Sequence, residues 1–306
     1  ANTYAKVSGT FEEIDNAYGK VSGTWQEADE IYAKVSGTWQ LVFAAFQAGT
    51  VQTLSSGSGT LTVPQGANAM HIQAAVGGGG GAVGGADYDK AGGESSGGGG
   101  GSGAYISDKV FSVTEGETIT YAVGSVGSGA GKGFNVTASG GGTSSTSGST
   151  TGAIFSLTGG GGSSGINGGV QGPLRTNTAG SGGSATVAVA LTSGTFRDSD
   201  GVTKNITTLT GGPVGTFNQS GSGVSGDNNG NCGGDNCRIG GSTGATSYAG
   251  NISGGTGGSS SGAGTNGGAG TRGSGGGGGA AQVNSGSTVG ADGGSGEIQY
   301  RFLRVQ

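Results

Sequence analysis

The most regular alternation of apolar and polar positions lies at the start of the chain. Residues 5–18 read AKVSGTFEEIDNAY, residues 19–32 GKVSGTWQEADEIY and residues 33–46 AKVSGTWQLVFAAF, three units with a period of 14. Val7, Phe11, Ile14, Tyr18, Val21, Trp25, Ala28, Tyr32, Val35, Trp39, Val42 and Phe46 fall at alternating spacings of four and three, which is also the template of a heptad helix. Each unit nevertheless sets Ser-Gly-Thr at the same point, and a helix loses about 1 kcal/mol at each such Gly relative to Ala. A hairpin fits better: a two-residue Ser-Gly turn joins strand Tyr18–Val21 to strand Thr24–Ala28 and pairs Val21 with Thr24 and Lys20 with Trp25. Tyr18 and Trp25 then share a face, and Asp-Glu or Asp-Asn serves the return turns. Residues 1–50 are expected to form a small meander, with a helix as the rival reading.

From Thr50 the composition turns small and polar, TVQTLSSGSG, which suggests a linker over 51–59. Beyond it the alternation predicts strands at Thr60–Pro64, Met70–Val76, Ala104–Val113, Thr118–Val123, Phe134–Ala138, Ile154–Leu157, Thr186–Leu191 and Glu297–Val305. Glycine tracts lie between them, at 77–81, 97–101, 159–162 and 275–279.

Glycine accounts for 80 of the 306 residues, against about 7% in ordinary domains, and apolar and charged residues make up only 31% and 10%. Such a chain is no conventional globular enzyme. Three prolines exclude collagen, and a net charge of −5 from 13 basic and 18 acidic residues is unlike a typical disordered tail. The charge gives no case for nucleic acid or an anionic membrane surface, and the longest apolar run, 41–46, is far short of a membrane span.

Residues 218–296 pose a physical question, because their only large apolar side chains are Val224, Ile239, Tyr248, Ile252, Val283 and Val289. Ordering a chain costs about 1–2 kcal/mol per residue, most of all for Gly, so hydrophobic burial alone cannot hold this segment. Counting by three from Gly255 gives Gly258, Ser261, Gly264, Gly267, Gly270, Gly273, Gly276 and Gly279. A polyproline II helix has three residues per turn, so Gly at every third position clears an edge along which helices pack and hydrogen-bond through their backbones. A flexible Gly/Ser linker is the rival. The fold expected is mainly β with polyglycine II helices and almost no α-helix: hairpin repeats over 1–50, the linker over 51–59, and a glycine-rich body over 60–306 that is densest in 218–296 and closes on a C-terminal strand.

The segments TLTVPQGANAMHIQAAVGGGGG, GGGGGSGAYISDKVFSVTEGETITYAVGSVGSG and the closing GSGEIQYRFLRVQ, spanning roughly 58–306, resemble the glycine-rich domain of tailed-bacteriophage tail-fibre proteins. The hairpin motif of that family appears here as Val113, Thr114, Gly116, Thr118, Tyr121, Val123 and Gly124. The middle and C-terminal tracts are similar in composition to tail-fibre tip adhesins of T-even-like phages, in which stacked polyglycine II helices carry variable receptor-binding loops. The KVSGTW repeats resemble short repeats of phage tail proteins. The resemblance implies a non-enzymatic adhesin in the virion, at the tail fibre or tail tip and extracellular. Its expected partners are a tail-fibre or baseplate protein and a bacterial surface protein or glycan, with self-association into a homo-oligomer compatible with both. A purely structural fibre or decoration protein, acting as a stiff spacer, is the alternative, and an ice-binding protein would leave the N-terminal repeats without a role.

Candidate chemistry is sparse. His71 is the only histidine and, in the alternating run AMHIQAAV, reads as a strand side chain facing solvent rather than a base. No G-x-x-x-x-G-K-[ST] occurs, and Asp227, Asn229 and Asn231 lack the Gly and the Glu of a calcium loop, so no cofactor or metal is expected. Cys232 and Cys237 are spaced to close a small disulfide loop, or remain two free thiols. Large side chains stranded among glycines are the receptor-contact candidates: Asp87, Tyr88 and Asp89, Leu174 and Arg175, and Tyr248. For attachment the candidates are Tyr18, Trp25, Tyr32, Trp39, Phe43 and Phe46, because residues 1–50 hold 8 of the chain's 19 aromatics.

Overall fold

The computed structural model describes residues 4–7, 10–13, 17–28, 30–44, 46–81, 99–129, 139–159, 180, 182–209, 238–239, 268–270, 273–274, 281–282 and 289–306. The N-terminal repeats fold as three antiparallel hairpins, β1 (Tyr4–Val7) with β2 (Thr10–Glu13), β3 (Ala17–Val21) with β4 (Thr24–Ala28), and β5 (Glu30–Val35) with β6 (Thr38–Ala44). Val21 faces Thr24 and Lys20 faces Trp25, the register expected from the repeat. Ser22 and Gly23 have φ of 50° and 87°, and Ser36 and Gly37 of 49° and 86°. That left-handed pair makes a type I′ turn, whose twist matches the twist of paired strands. The helical alternative is thereby excluded. The expected meander is corrected as well, because each hairpin is a sheet of its own. Asp29 alone separates β4 from β5, too little chain for the return turn that would pair them.

The rest of the chain supplies β7 (Gln52–Leu54), β8 (Ser58–Thr62), β9 (Ala69–Val76), β10 (Tyr105–Ser112), β11 (Thr118–Ala122), β12 (Ser144–Gly148), β13 (Gly152–Leu157), β14 (Ala185–Val187), β15 (Thr195–Arg197), β16 (Thr203–Asn205), α1 (Ile206–Leu209), β17 (Arg238–Ile239), β18 (Ala281–Gln282) and β19 (Glu297–Leu303). The chain is mainly β, and among the described residues α1 is the one helix. No helix there is long and apolar enough to cross a membrane. Two antiparallel sheets dominate, one in the order β10-β9-β19-β7 and the other β14-β13-β12-β11-β8. They enclose a core to which Met70, Ile72, Ile106, Phe111, Ile298 and Tyr300 contribute from one sheet and Ile119, Ile154, Phe155 and Leu157 from the other. Burial of each large side chain contributes about 1.5–3 kcal/mol.

The four-stranded sheet is covered on its second face too. Phe196 of β15 and Ile206 of α1 pack there on Ala69, Val110 and Leu303. Two-sided burial explains why β9 is buried along its length except at Gln73. There the register slips, Ile72 facing Tyr300 and Ala74 facing Gln299, so Gln73 has no opposite number on β19. The stretch expected as a linker, 51–59, instead belongs to the sheets. Its β7 pairs Leu54 with Ile298 and Gln52 with Tyr300, and β8 begins within it. The body starts earlier still, since Phe46 packs against the core and the buried Ala48 donates its N–H to Arg197 O at 2.9 Å.

Past the sheet ends the glycine segments take over. Gly77 and Gly80 donate to Ala104 O and Gly101 O, both at 2.9 Å, while Gly78 and Gly81 donate to Gly142 O at 3.0 Å and Ser139 O at 3.4 Å. Gly79 donates to Gly294 O at 2.7 Å, and its own carbonyl accepts from Gly127 N at 2.8 Å. The N–H groups of this tract therefore turn to three different neighbours and return to the first after three residues, whereas a strand alternates between two. Residues 77–81 are all buried, with no side chain present to do it. A β-carbon on Gly127 would stand 2.6 Å from Ser139 O, and one on Gly79 would strike Ser274 O and Gly273 O. Real β-carbons do not approach within 3.0 Å, so these contacts exist only because the residues are glycine. Most of 218–296, expected to be the densest part, lies outside the described residues. Of its threefold register, Gly270 donates to Asp292 O at 2.9 Å and Gly273 O accepts from Gly103 N at 2.7 Å.

Buried polar groups lock the two sheets to this glycine framework. Ser144, fully buried in β12, donates its hydroxyl to Val76 O at 2.6 Å and accepts from Gly124 N at 2.8 Å. The buried Glu117 carboxylate accepts from Thr114 N at 2.9 Å, Thr150 N at 2.9 Å, Thr151 N at 2.8 Å and Thr151 Oγ1 at 2.8 Å. Burial pushes that carboxyl up, but these donors outweigh it and bring its pKa from 4.5 down to about 2. Glu117 thus ties the turn before β11 to the turn between β12 and β13.

Gly79→Ala and Gly127→Ala should each lower the unfolding free energy by about 3 kcal/mol, since the obstructing atoms are backbone and cannot swing aside. Gly49→Ala, where nothing lies within 4 Å, should change it by less than about 0.5 kcal/mol, and denaturant unfolding of the three variants measures the contrast. Glu117 has a lower pKa folded than unfolded, so its contribution is present above pH 4.5 and is lost as pH falls toward 2. Glu117→Gln should therefore cost on the order of 3 kcal/mol at pH 7 and little at pH 2, read from melting curves at the two pH values.

Candidate functional site

The hairpins place the attachment candidates by simple parity. Across β3–β4 Tyr18 faces Glu27 and Lys20 faces Trp25; across β5–β6 Tyr32 faces Leu41 and Lys34 faces Trp39. The first hairpin repeats the register with Tyr4 facing Glu13 and Lys6 facing Phe11. The second and third hairpins therefore each set a Tyr, a Lys and a Trp on one face. Tyr18 is 57% exposed, Trp25 66%, Tyr32 50% and Trp39 66%, while Ile31 and Ala33 on the other face of the third hairpin are half-buried. Lys20 Nζ stands 6.0 Å from the Trp25 ring centroid, at the outer limit of a cation–π contact. On each of these two hairpins the rings face solvent, an exposure that proteins often keep for partners.

Other expected site residues divide differently. Phe43 lies on β6, and of it only the backbone is described. Phe46 is removed from the attachment set, because it packs into the body and its ring lies close against Gly66. Asp87, Tyr88, Asp89, Leu174, Arg175 and Tyr248, together with Cys232 and Cys237, lie outside the described residues, as does the expected strand Phe134–Ala138.

One polar cluster escaped the sequence reading. His71 does not face solvent as expected but is buried, with Nε2 3.2 Å from Asp108 Oδ1 and Nδ1 accepting from Arg301 Nε at 3.3 Å. With Nδ1 accepting from Arg301, Nε2 is the ring nitrogen turned to the Asp108 carboxylate. Arg301 Nη1 donates to Asp198 Oδ1 at 2.6 Å, and Lys204 Nζ donates to Asp198 Oδ2 at 2.6 Å and Asp200 Oδ2 at 2.9 Å. Burial pushes the Asp198 carboxyl up, yet Lys204, the Ser199 N–H and Arg301 outweigh it and hold the pKa at about 2. Asp108 reaches His71 from a backbone with φ of 47°, a left-handed conformation that Asp tolerates better than most residues. Both ring nitrogens of His71 are engaged, so the cluster fastens the β15–β16 hairpin to the sheet and offers no free base. Lys204 fills the place a cation would take between Asp198 and Asp200, and no metal-holding group of side chains occurs among the described residues. The signal for this cluster was the rarity of charge in the chain, since a lone Arg in a closing apolar strand needs a buried partner.

The sequence profile of the glycine-rich domain family matches residues 53–303. The chain belongs to the glycine-rich domain family. No curated protein matches the chain. The glycine-rich domain so delimited begins inside β7 and ends on the last residue of β19, two strands hydrogen-bonded to each other, and so it closes on itself. The aromatic hairpins lie outside it.

Gly23→Ala and Gly37→Ala meet no steric obstacle, so their cost comes only from forcing a β-carbon to φ near +87°, about 1 kcal/mol each. Ser22→Asn and Ser36→Asn should act in the opposite direction, because Asn adopts the left-handed region more readily. Amide exchange in β3–β6 is expected to speed up roughly fivefold in the glycine variants and to slow in the asparagine ones.

Proposed function

We propose that this chain is a non-enzymatic tail-fibre or tail-tip adhesin of a tailed bacteriophage, docking on a tail-fibre or baseplate protein through its N-terminal hairpins and binding a bacterial surface protein or glycan through loops of the body. The observation that carries the reading is where the segments holding the receptor candidates are anchored. Gly81 donates to Ser139 O and Ser139 donates to Ser128 O, so segments 82–98 and 130–138 are rooted at the end of the glycine framework away from the sheets, while segment 160–179 leaves at Gly159, beside Gly78, and returns at that far end, where Gly180 donates to Gly99 O. Asp87, Tyr88 and Asp89 belong to the first of these segments and Leu174 and Arg175 to the third. The segment carrying Tyr248 returns at Gly270, whose partner Asp292 also accepts from Gly129 N. A rigid base that delivers several chain excursions from one end suits recognition by loops.

The threefold rotation of N–H groups along residues 77–81 supports reading these segments as polyglycine II helices. A stiff structural spacer would use the same framework and differs only in what the loops do. Phage carrying Tyr88→Ala together with Tyr248→Ala should adsorb to host cells at least tenfold more slowly with normal assembly and thermal stability. Normal adsorption, with a purified body that fails to compete for cells, would favour the spacer. A chain starting at residue 46 keeps Phe46 and Ala48 in the body and should be missing from virions; its presence at wild-type copy number would show that docking does not need the hairpins.

A further inference from the structure

We infer that the aromatic face of the hairpins is a self-association surface whose occupant is the same face of a second copy of this chain. The inference rests on the reading of residues 1–50 as the attachment module and names what covers it first: the chain reaches the tail as a pair. A two-stranded hairpin is marginal in water, and these three pair only within themselves, so their order depends on something laid against them. The exposed face is the aromatic one, with Trp25 and Trp39 both 66% exposed, since Ile31 and Ala33 opposite are already half-buried.

The layout of that face selects its occupant. At the turn end stand a Lys and an aromatic residue, Lys6 with Phe11, Lys20 with Trp25 and Lys34 with Trp39. At the open end a Tyr stands opposite Glu13, Glu27 or Leu41. Two such faces related by a twofold axis along the strands bring Lys20 onto Trp25 of the second copy, and Trp25 onto its Lys20. The same operation brings Lys34 onto Trp39 of the second copy in the third hairpin. Each Lys then meets a Trp and each Trp a Lys, the self-complementarity an isologous contact needs. Residues 1–50 also carry Lys6, Lys20 and Lys34 against Glu12, Glu13, Asp15, Glu27, Asp29 and Glu30, so a surface of single charge would be repelled by part of this module.

Trp25 and Trp39 are the only tryptophans of the chain, so intrinsic fluorescence reports on this face alone. For the purified full-length chain, emission is expected to shift to shorter wavelength as concentration rises, with a midpoint that coincides with the monomer-to-dimer transition in sedimentation velocity. Lys20→Glu with Lys34→Glu leaves both tryptophans and both turns in place and should raise that midpoint at least tenfold. Emission typical of water-exposed tryptophan together with monomeric sedimentation at every concentration would overturn the inference, as would a charge-reversed variant that associates as tightly as the parent. A blue shift produced only by adding tail protein would overturn it in favour of a heterologous partner. Incorporation of the chain starting at residue 46 tests the attachment reading separately, so a monomeric parent chain that still needs residues 1–45 for incorporation refutes self-association and leaves attachment standing.

Discussion

The body depends on one constraint: its backbones approach each other so closely that no β-carbon fits between them. Around residues 77–81 the N–H groups reach segments 99–104, 139–142 and 289–296 in rotation, and a β-carbon on Gly78, Gly79, Gly81, Gly103 or Gly141 would come closer than 3.0 Å to facing backbone. Each such bond contributes about 0.5–1.5 kcal/mol, and leaving a buried amide unpaired costs more than that. The framework therefore has to be complete to be stable at all. Glycine loses more conformational entropy on ordering than any other residue, and only a dense set of backbone bonds offsets that loss.

That framework does not stand alone. Strands β9, β10, β11, β12 and β19 run directly into its glycine segments, so the sandwich core fixes where each segment starts. Among the described residues of the body, the buried carboxylates Glu117 and Asp198 each sit in a hydrogen-bonded cluster. Glu117 joins two turns, Ser144 bridges the sheets, and Arg301 gathers His71 and Asp198 between the sheet and the β15–β16 hairpin. Side chains with several hydrogen bonds serve here at points where apolar burial would demand more volume than the close-packed backbones leave.

The hairpins follow a different logic. Their turns and register come from local chemistry, Ser-Gly at positive φ and facing pairs repeated every 14 residues. They expose Tyr18, Trp25, Tyr32 and Trp39, whereas among the described residues of the body the exposed large apolar side chains are Val126, Val189 and Val202. This division supports an assembly role for one part and a scaffold role for the other. The family match, which begins in β7, falls on the same division.

Local chemistry alone determined the hairpins: a Ser-Gly dipeptide between short apolar runs defines both turn and register without reference to anything distant. Most strands of the body were legible for the same reason, since β9, β10, β11 and β19 alternate or carry apolar runs bounded by turn residues. Strand β12, SSTSG, was not, because its inward residues act through Ser144's hydrogen bonds to Val76 and Gly124, which no periodicity records. His71 misled for a related reason: alternation assigns one face of β9 to solvent, while α1 and the β15–β16 hairpin cover that face from far along the chain. The aromatic strip was visible in the repeat, but the membership of Phe46 in the body was decided by its packing against residues more than a turn away. Composition announced that glycine must pack on glycine. Which tract becomes the centre was decided by tertiary structure, because a backbone hydrogen bond carries no side-chain signature and any glycine segment is chemically the same as any other until the strands around it set its place.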